Sequence, residues 1–277
     1  MSSHETSLLE DAIRQARWER VRRGVTVALG RTAVLALCLV VWTVVSGRWL
    51  DRSLISDPGE VLAAAVDSLA SGRLWPHLAQ TLLEVALGYL IGATAGLGLA
   101  LGVGLSDTAQ RVLRPFLTAL YAIPKVAMAP LIIMWFGLGT SPKVFLAGGF
   151  VFFVMFMSGI AGVENVNPNH VSVARVMGAS RIAVLSKIVF PSIVPFLMTG
   201  LRLAIPEAFT GAVIGEFLAA NRGVGYLINS ATTQLNMAAS FAAILVLLLL
   251  VMIFDVAVSM LERNALSWRP IPVTSGT

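Results

Sequence analysis

Three ionisable side chains, Arg202, Glu207 and Glu216, interrupt a long apolar stretch of the sequence. Arg202, Phe209 and Glu216 are spaced by seven residues. In an α-helix they would lie within roughly 40° of one another and extend over about 21 Å along the axis, whereas Glu207 would point elsewhere. Charged groups in apolar surroundings are costly, so they normally face a bundle interior, a cavity or a partner. This row can therefore line a polar pathway or form a structural ion pair.

Catalytic and metal-binding patterns are absent from the sequence. The three histidines, His4, His77 and His170, are scattered, and no zinc-protease, nucleophile-elbow or phosphate-loop motif occurs. Cys38 is the single cysteine, which excludes an internal disulfide and a thiolate metal cage. We therefore expect no enzyme activity, no bound cofactor and no metal on this chain.

The composition excludes an ordinary soluble domain. Of 277 residues, 57% are hydrophobic and only 13% are charged, whereas soluble domains have about 25% charged residues. Residues 85–106 and 223–254 are uncharged throughout. The chain is predicted to be an all-α integral membrane protein, and its net charge of +5 indicates loops that face anionic lipid rather than a nucleic-acid partner.

Apolar stretches long enough to cross a bilayer predict six transmembrane helices. They cover residues 25–47, 77–106, 115–139, 144–163, 191–219 and 237–262. On this division, 13 of the 20 Lys and Arg residues lie on the side that holds both chain ends, and five, Lys143 among them, lie on the other. Because positive residues stay in the cytosol, both termini are predicted to be cytosolic.

The predicted organisation has four parts: a basic cytosolic segment at residues 1–31, the first span and the start of an outer loop at 32–56, a core at 57–262, and a cytosolic tail at 263–277. A cleaved signal peptide is the alternative for the N-terminal region, but its charged part is too long and no small-x-small cleavage site follows.

Within the predicted spans, Glu216 is expected to line a pathway across the membrane and Arg202 to support the helix bundle. Lys125, which follows Pro124, is a further candidate for the pathway. The alternative for each is a structural ion pair or a side chain that reaches the headgroups.

A short helix is predicted at the start of the core. Asp57 is the N-cap, Pro58 occupies the first helical position, Glu60 completes a capping box, and Gly72 ends the helix. We expect this helix at the outer surface.

Small residues recur every four positions in the second predicted span: Gly88, Gly92, Gly96, Ala100 and Gly104. Such a stripe lets another helix approach closely. We predict that it packs against a helix of this chain or of a second subunit.

The connection at residues 164–191 is punctuated into two short helical pieces by Asn167-Pro168 and by Gly178-Ala179-Ser180. Apolar residues recur at helical spacing on each piece, namely Val171, Ala174 and Met177, then Ile182, Leu185 and Ile188. From the residues alone, the pair either lies on the membrane or docks into another protein.

This connection resembles the EAA loop of ABC importer permeases, in residues 172–180 (SVARVMGAS) and 188–191 (IVFP). Similarity to the nitrate, sulfonate and taurine branch of that family extends to residues 123–130, 135–137, 199–202 and 223–228. The resemblance covers roughly residues 57–262, and its motifs occur in the family's order.

The resemblance implies the type I ABC importer permease fold and the permease function, in the bacterial inner membrane. It implies separate ATPase subunits that carry ATP and Mg, a secreted or periplasmic substrate-binding protein, and a second permease subunit, most simply a homodimer. The solute would be small, such as nitrate, a sulfonate or taurine. The implied ATPase-coupling residues are Ser172, Val173, Ala174, Arg175, Gly178, Ala179, Ser180 and Pro191.

One departure from the family pattern is Ser172, which stands where the loop usually has glutamate. Either docking of the ATPase relies on the apolar face, Arg175 and the Gly178 turn instead of this glutamate, or the position tolerates substitution without effect. The alternatives for function are an ion-coupled secondary transporter, a vitamin-precursor ABC importer and an intramembrane enzyme. The sequence shows neither an internal repeat nor a catalytic cluster.

Overall fold

The structure, a computed structural model, describes residues 3–49, 51, 54–104 and 106–265. The described residues form an all-helical chain. Its α-helices are α1 (Ser3–Val45), α2 (Pro58–Ala70), α3 (Trp75–Gly104), α4 (Asp107–Ala122), α5 (Ala129–Phe136), α6 (Ser141–Glu164), α7 (Pro168–Val176), α8 (Arg181–Val184), α9 (Phe190–Ala219), α10 (Val224–Thr233) and α11 (Met237–Ala265).

Five helical segments among the described residues are long and apolar enough to cross a membrane: Gly24–Val45, Trp75–Gly104, Ser141–Glu164, Ile182–Ala219 and Met237–Met260. The fourth runs from α8 through a π-helical turn, Leu185–Val189, into α9. Each has at least 22 residues, which at about 1.5 Å per residue spans the hydrocarbon core. These segments coincide with five of the six predicted spans.

The remaining predicted span, residues 115–139, is not one continuous helix, and that it crosses the membrane stays a prediction. α4 ends at Ala122, and Ile123 is extended, with φ −65° and ψ 132°. The cause is Pro124, which lacks an N–H and forces the residue before it out of the helical region. A 3₁₀ turn, Lys125–Met128, and the short α5 follow.

The chain divides into two compact units, residues 1–63 and 64–277. In the first unit, the end of α1 is bound to the loop that follows it. Trp42 Nε1 donates to the Ser56 carbonyl at 3.0 Å, and Ser46 Oγ donates to the Ile55 carbonyl at 2.9 Å.

The N-terminus of α2 has the predicted capping residues. Asp57 Oδ1 accepts from Gly59 N at 2.8 Å, and Glu60 Oε2 faces Asp57 N at 3.4 Å. Gly72, with φ +76°, follows the helix end. The predicted start and stop signals of this helix are confirmed.

In the second unit, α6 packs against α3 on one side and α9 on the other. A Cβ added at Gly88 would lie 2.5 Å from Ala147 Cβ, and one at Gly92 would collide with the Gly148 carbonyl. On the other side, a Cβ at Gly211 would lie 2.7 Å from the Ala147 backbone. The small-residue stripe of α3 therefore lies against α6 of the same chain, at a distance that only glycine permits.

We predict that Gly92→Leu destabilises the fold, because the side chain would have to displace the α6 backbone. Overpacking of this kind typically costs about 1–3 kcal/mol. Gly98→Leu is the matched control, since a Cβ at Gly98 in the same helix meets no atom within 4 Å. Thermal unfolding of the purified protein in detergent measures the difference, and equal midpoints for the two variants would refute the packing argument.

Candidate functional site

α3, α6 and α9 bring four polar side chains together in the interior of the second unit. These are Thr81, Glu84, Lys143 and Glu216, which we call the buried cluster. Their exposed fractions are 0% for Thr81 and Glu84, 4% for Lys143 and 1% for Glu216. Groups this deeply buried require partners from within the protein.

Glu216 connects three segments of the chain. Its Oε1 accepts a hydrogen bond from Thr81 Oγ1 of α3 at 2.6 Å, and its Oε2 accepts one from Gly225 N at the start of α10, also at 2.6 Å. Thr81 Oγ1 in turn accepts from Val224 N at 2.8 Å. A carboxylate at a helix N-terminus satisfies an N–H group that the helix itself leaves unpaired.

The loop before α10 must carry glycine to approach Glu216. Gly223 has φ +121°, and a Cβ there would collide with the Glu216 carboxyl group. A Cβ at Gly225 would lie 2.8 Å from Glu216 Oε2. His77 Nδ1 adds a contact of 3.1 Å with Gly223 N. The two glycines of the Gly223-Val224-Gly225 motif therefore allow the loop backbone to reach the Glu216 carboxylate.

Glu84 is held mainly by a cation and an amide. Lys143 Nζ lies 3.4 Å from Glu84 Oε1. Gln80 Nε2 donates to the same oxygen at 2.7 Å and to Thr140 Oγ1 at 2.9 Å. These contacts join the first half of α3 to the start of α6.

Sequence reasoning missed both Glu84 and Lys143. Lys143 was assigned to an outer connection, but it lies in the first turn of α6 and is buried. Glu84 is a lone acid inside a predicted span, so the criterion that selected Arg202 and Glu216 would also have selected it. Thr81 carries no such signal, because a threonine in an apolar helix is unremarkable in sequence.

The three side chains predicted for the pathway do not meet. Glu216 lies in the buried cluster, and Arg202 Nη2 donates to Ser259 Oγ of α11 at 2.6 Å. Lys125 Nζ lies 3.9 Å from Glu207 Oε2. The assignments of Glu216 to the pathway and of Arg202, the other candidate, to support of the bundle stay predictions.

Lys125 lines a cavity of about 680 Å³ between α3, α6 and the segment that runs from α4 to α5. Its ammonium lies 5.0 Å from the centre of the Phe150 ring and 5.7 Å from that of Phe153. Rings at this distance attract a cation through their negative faces. The side chains of Lys125 and Glu207 are 18% and 38% exposed.

The predicted loop at residues 164–191 contains α7, α8 and the π-helical turn. Asn167 Oδ1 caps α7 by accepting from Asn169 N at 2.9 Å. α7 ends in a Schellman motif, in which Gly178 N donates to the Arg175 carbonyl at 3.0 Å and Ala179 N donates to the Ala174 carbonyl at 2.9 Å. Gly178 has φ +81°, a conformation that favours glycine.

The apolar side chains of this loop divide between the core and the surface. Val171, Ala174 and Leu185 pack against the core, so the predicted apolar faces are not continuous outer surfaces. Four others, all of which precede the π-helical turn, are exposed, and we call them the loop patch: Val173 (59%), Val176 (89%), Met177 (82%) and Ile182 (78%). This patch has the character of a contact surface for another protein.

Among the described residues, no group of three or more His, Cys, Asp and Glu side chains could hold a metal ion.

Residues 88–266 match the family described as "Binding-protein-dependent transport system inner membrane component". The chain belongs to this family. It is therefore a transport permease of the inner membrane, as the loop motif predicted. Members of this family are membrane components of transport systems, and the helices of the structure that are long and apolar enough to cross a membrane agree with that function.

Relatives resemble the permease over most of its length. It is 30% identical to the taurine transport system permease protein TauC of Escherichia coli K12, over 91% of this chain and 92% of TauC. It is 33% identical to the putative aliphatic sulfonates transport permease protein SsuC of the same bacterium, over 84% of this chain and 89% of SsuC. It is 30% identical to the formylaminopyrimidine transport permease protein ThiX of Halalkalibacterium halodurans, over 87% and 96% of the two chains.

Solved structures show the same fold. An inward-facing structure of the MetNI methionine ABC transporter aligns with a TM-score of 0.55 and 18% identity, over 69% of the permease and 94% of that chain. An amino acid ABC transporter with histidines aligns with a TM-score of 0.54 and 18% identity, over 72% and 98% of the two chains. The permease therefore has the type I ABC importer fold.

We predict that Thr81→Val loosens the attachment of the loop before α10. The variant keeps the side-chain shape but leaves Val224 N and Glu216 Oε1 without their partner, which costs about 1–3 kcal/mol. Thr94→Val in the same helix is the control, because Thr94 Oγ1 is exposed and donates to the Leu90 carbonyl of its own helix. The comparison is between thermal midpoints in detergent, and a Thr81→Val midpoint no lower than that of Thr94→Val would show that the network contributes nothing.

Proposed function

We propose that the permease is one of two identical membrane subunits that import a small sulfonate, such as taurine or an alkanesulfonate, with energy from ATP bound by separate subunits. The resemblance over most of the chain to TauC and SsuC supports this substrate class. A secreted or periplasmic protein would deliver the solute. The second candidate is a vitamin precursor, which the comparable similarity to ThiX supports.

The proposed topology has six crossings and cytosolic termini. α4, the 3₁₀ turn and α5 together form the third crossing in this proposal, although they are interrupted at Pro124. The excess of positive residues in the connections on one side supports the orientation. A broken helix inside a membrane protein is tolerated where it lines a cavity, and the cavity beside Lys125 supports this placement.

The loop patch is the proposed contact with the ATPase. Its four apolar side chains are exposed on a segment in which Val171, Ala174 and Leu185 already pack against the core. Ser172 stands where the family usually has glutamate, and its Oγ donates to the Pro168 carbonyl within α7 at 3.0 Å. This position therefore presents no carboxylate to the ATPase. Docking in this protein accordingly depends on apolar contact and on the turn at Gly178.

The proposed solute path passes the Lys125–Glu207 pair. Lys125 supplies a positive charge beside a largely apolar cavity, a combination that suits a short chain ending in a sulfonate. The 3.9 Å separation from Glu207 is long for a charge-assisted hydrogen bond, so the lysine can exchange this partner for the solute. In this proposal Glu216 and Arg202 act on the path through the helices that they hold.

We predict that Gly178→Asp abolishes coupling without unfolding the permease. A Cβ at Gly178 meets no atom within 4 Å in the chain, so the added charge affects mainly an apolar partner surface. Gly178→Asn is the matched control, since asparagine has a similar shape, tolerates the left-handed conformation and carries no charge. Co-purification of the ATPase with the tagged permease is the measurement.

The expected result is loss of the ATPase from Gly178→Asp and retention by Gly178→Asn, with equal amounts of both permeases in the membrane. Full retention of the ATPase by Gly178→Asp would exclude the loop as the docking element.

We predict that Lys125→Gln lowers uptake of a sulfonate per permease molecule about tenfold, corresponding to about 1.4 kcal/mol. Lys125→Arg is the control, because it preserves the charge and the contact with the aromatic rings. Uptake of labelled taurine into cells or vesicles, divided by the amount of permease, gives the result. Equal uptake by wild type and Lys125→Gln would contradict a sulfonate path at this lysine.

A further inference from the structure

The two carboxyl groups of the buried cluster are neighbours. Glu84 and Glu216 come from different helices. Thr81, which lies three residues before Glu84 on the same face of α3, donates to Glu216 Oε1 at 2.6 Å. Lys143 Nζ lies 3.4 Å from Glu84 Oε1, and the side chain of this lysine packs against α9 at Gly215, the residue before Glu216. Both residues are almost completely buried. Two carboxylates in contact repel each other strongly in a medium of low dielectric constant, because little solvent screens them.

A count of hydrogen bonds leaves one oxygen without a donor. Both oxygens of Glu216 have one, Thr81 Oγ1 for Oε1 and Gly225 N for Oε2. Glu84 Oε1 accepts from Gln80 and faces Lys143. Glu84 Oε2 is buried and receives no hydrogen bond from any described residue.

The charges also do not balance if both acids are ionised. Lys143, which contacts Glu84, is the cation at this pair among the described residues, so two carboxylates would leave one uncompensated negative charge inside the helix bundle. A buried uncompensated charge strongly destabilises the folded state. A single added proton removes both problems, since it neutralises the excess charge and supplies the missing donor.

We propose that Glu84 and Glu216 bind one proton between them, as an acid–carboxylate pair neutralised by Lys143. The proton belongs to the pair rather than to either residue. It completes the contact between α3 and α9, at the point where Glu216 also holds Gly225 and Thr81. The site is a proton-binding site separate from the proposed solute path at Lys125.

The charged and titratable groups around the pair support one proton rather than two. Lys143 approaches from α6 and requires one ionised carboxylate as its partner. Another titratable group near this loop is His77 of α3, whose Nδ1 lies 3.1 Å from Gly223 N and so contacts the backbone of the loop rather than either acid. A second proton would leave Lys143 without a counter-ion.

The direct test is infrared spectroscopy of the purified full-length permease in lipid nanodiscs at neutral pH. The account predicts the C=O stretch of a protonated carboxylic acid, with a shift in D₂O. This band should be lost in Glu84→Gln and in Glu216→Gln. Glu207→Gln is the matched control, and the band should persist in it because Glu207 lies outside the buried cluster, where it faces Lys125.

Either of two results would overturn the proposal. Absence of the band from the wild type would mean that both acids are ionised, for example around a bridging water. Persistence of the band in Glu84→Gln would place the protonated acid elsewhere. Glu84→Gln alone is sufficient if Glu216→Gln fails to fold.

Stability provides a second test on the same variants. The amide of Glu84→Gln can donate to Glu216 in place of the proton and still leaves one carboxylate for Lys143, so its thermal midpoint should equal that of the wild type. Glu84→Ala removes the donor and leaves a cavity, so its midpoint should fall. Equal losses in Glu84→Gln and Glu84→Ala would contradict the shared proton.

Discussion

The structure depends on the burial of two acids and a lysine in the interior of the helix bundle, away from bulk solvent. Glu84, Lys143 and Glu216 can be accommodated only if other segments of the chain bring donors and counter-charges to them. That requirement fixes α3, α6 and α9 relative to one another and draws the loop at residues 223–225 onto Glu216. The glycine contacts between α3 and α6 are what allow this approach, because a larger residue at Gly88 or Gly92 would hold the helices apart.

The segment at residues 164–191 shows the opposite imbalance. Its backbone is well satisfied by the Asn167 cap and the Schellman motif at Gly178, whereas the apolar side chains of the loop patch have no cover within the described chain. The polar groups of the buried cluster find their partners inside the bundle, whereas the apolar side chains of the loop patch can be buried only by a partner protein. The buried cluster therefore stabilises the fold of the permease, whereas the loop patch is suited to bind an ATPase.

Much of this architecture follows from the sequence, because hydropathy and helix signals are local. Five spans, the capping of α2 and the punctuation at Gly178 could be predicted from residues close together in the chain. The third span could not be drawn correctly from hydropathy alone, since Pro124 breaks the helix without changing the apolar character of the segment.

The buried cluster depends on contacts that are remote in sequence. Thr81 and Glu216 are 135 residues apart. Neither the threonine nor the glycines at 223 and 225 indicate from the sequence that their partner is an acid. Lys143 was placed in a connection because charge counting treats a lysine near a helix end as exposed. Glu84, by contrast, was open to prediction, since a lone acid within an apolar helix requires a partner.

The central functional claim is that this permease moves solute only when an ATPase acts through its loop. The direct measurement is uptake of labelled taurine into proteoliposomes that contain the permease, with ATP enclosed, in the presence and absence of the cognate ATPase and binding protein. The account predicts ATP-dependent uptake with all components, and none when the ATPase is omitted, even under an imposed proton or sodium gradient. Uptake driven by an ion gradient through the permease alone would contradict the account and identify a secondary transporter.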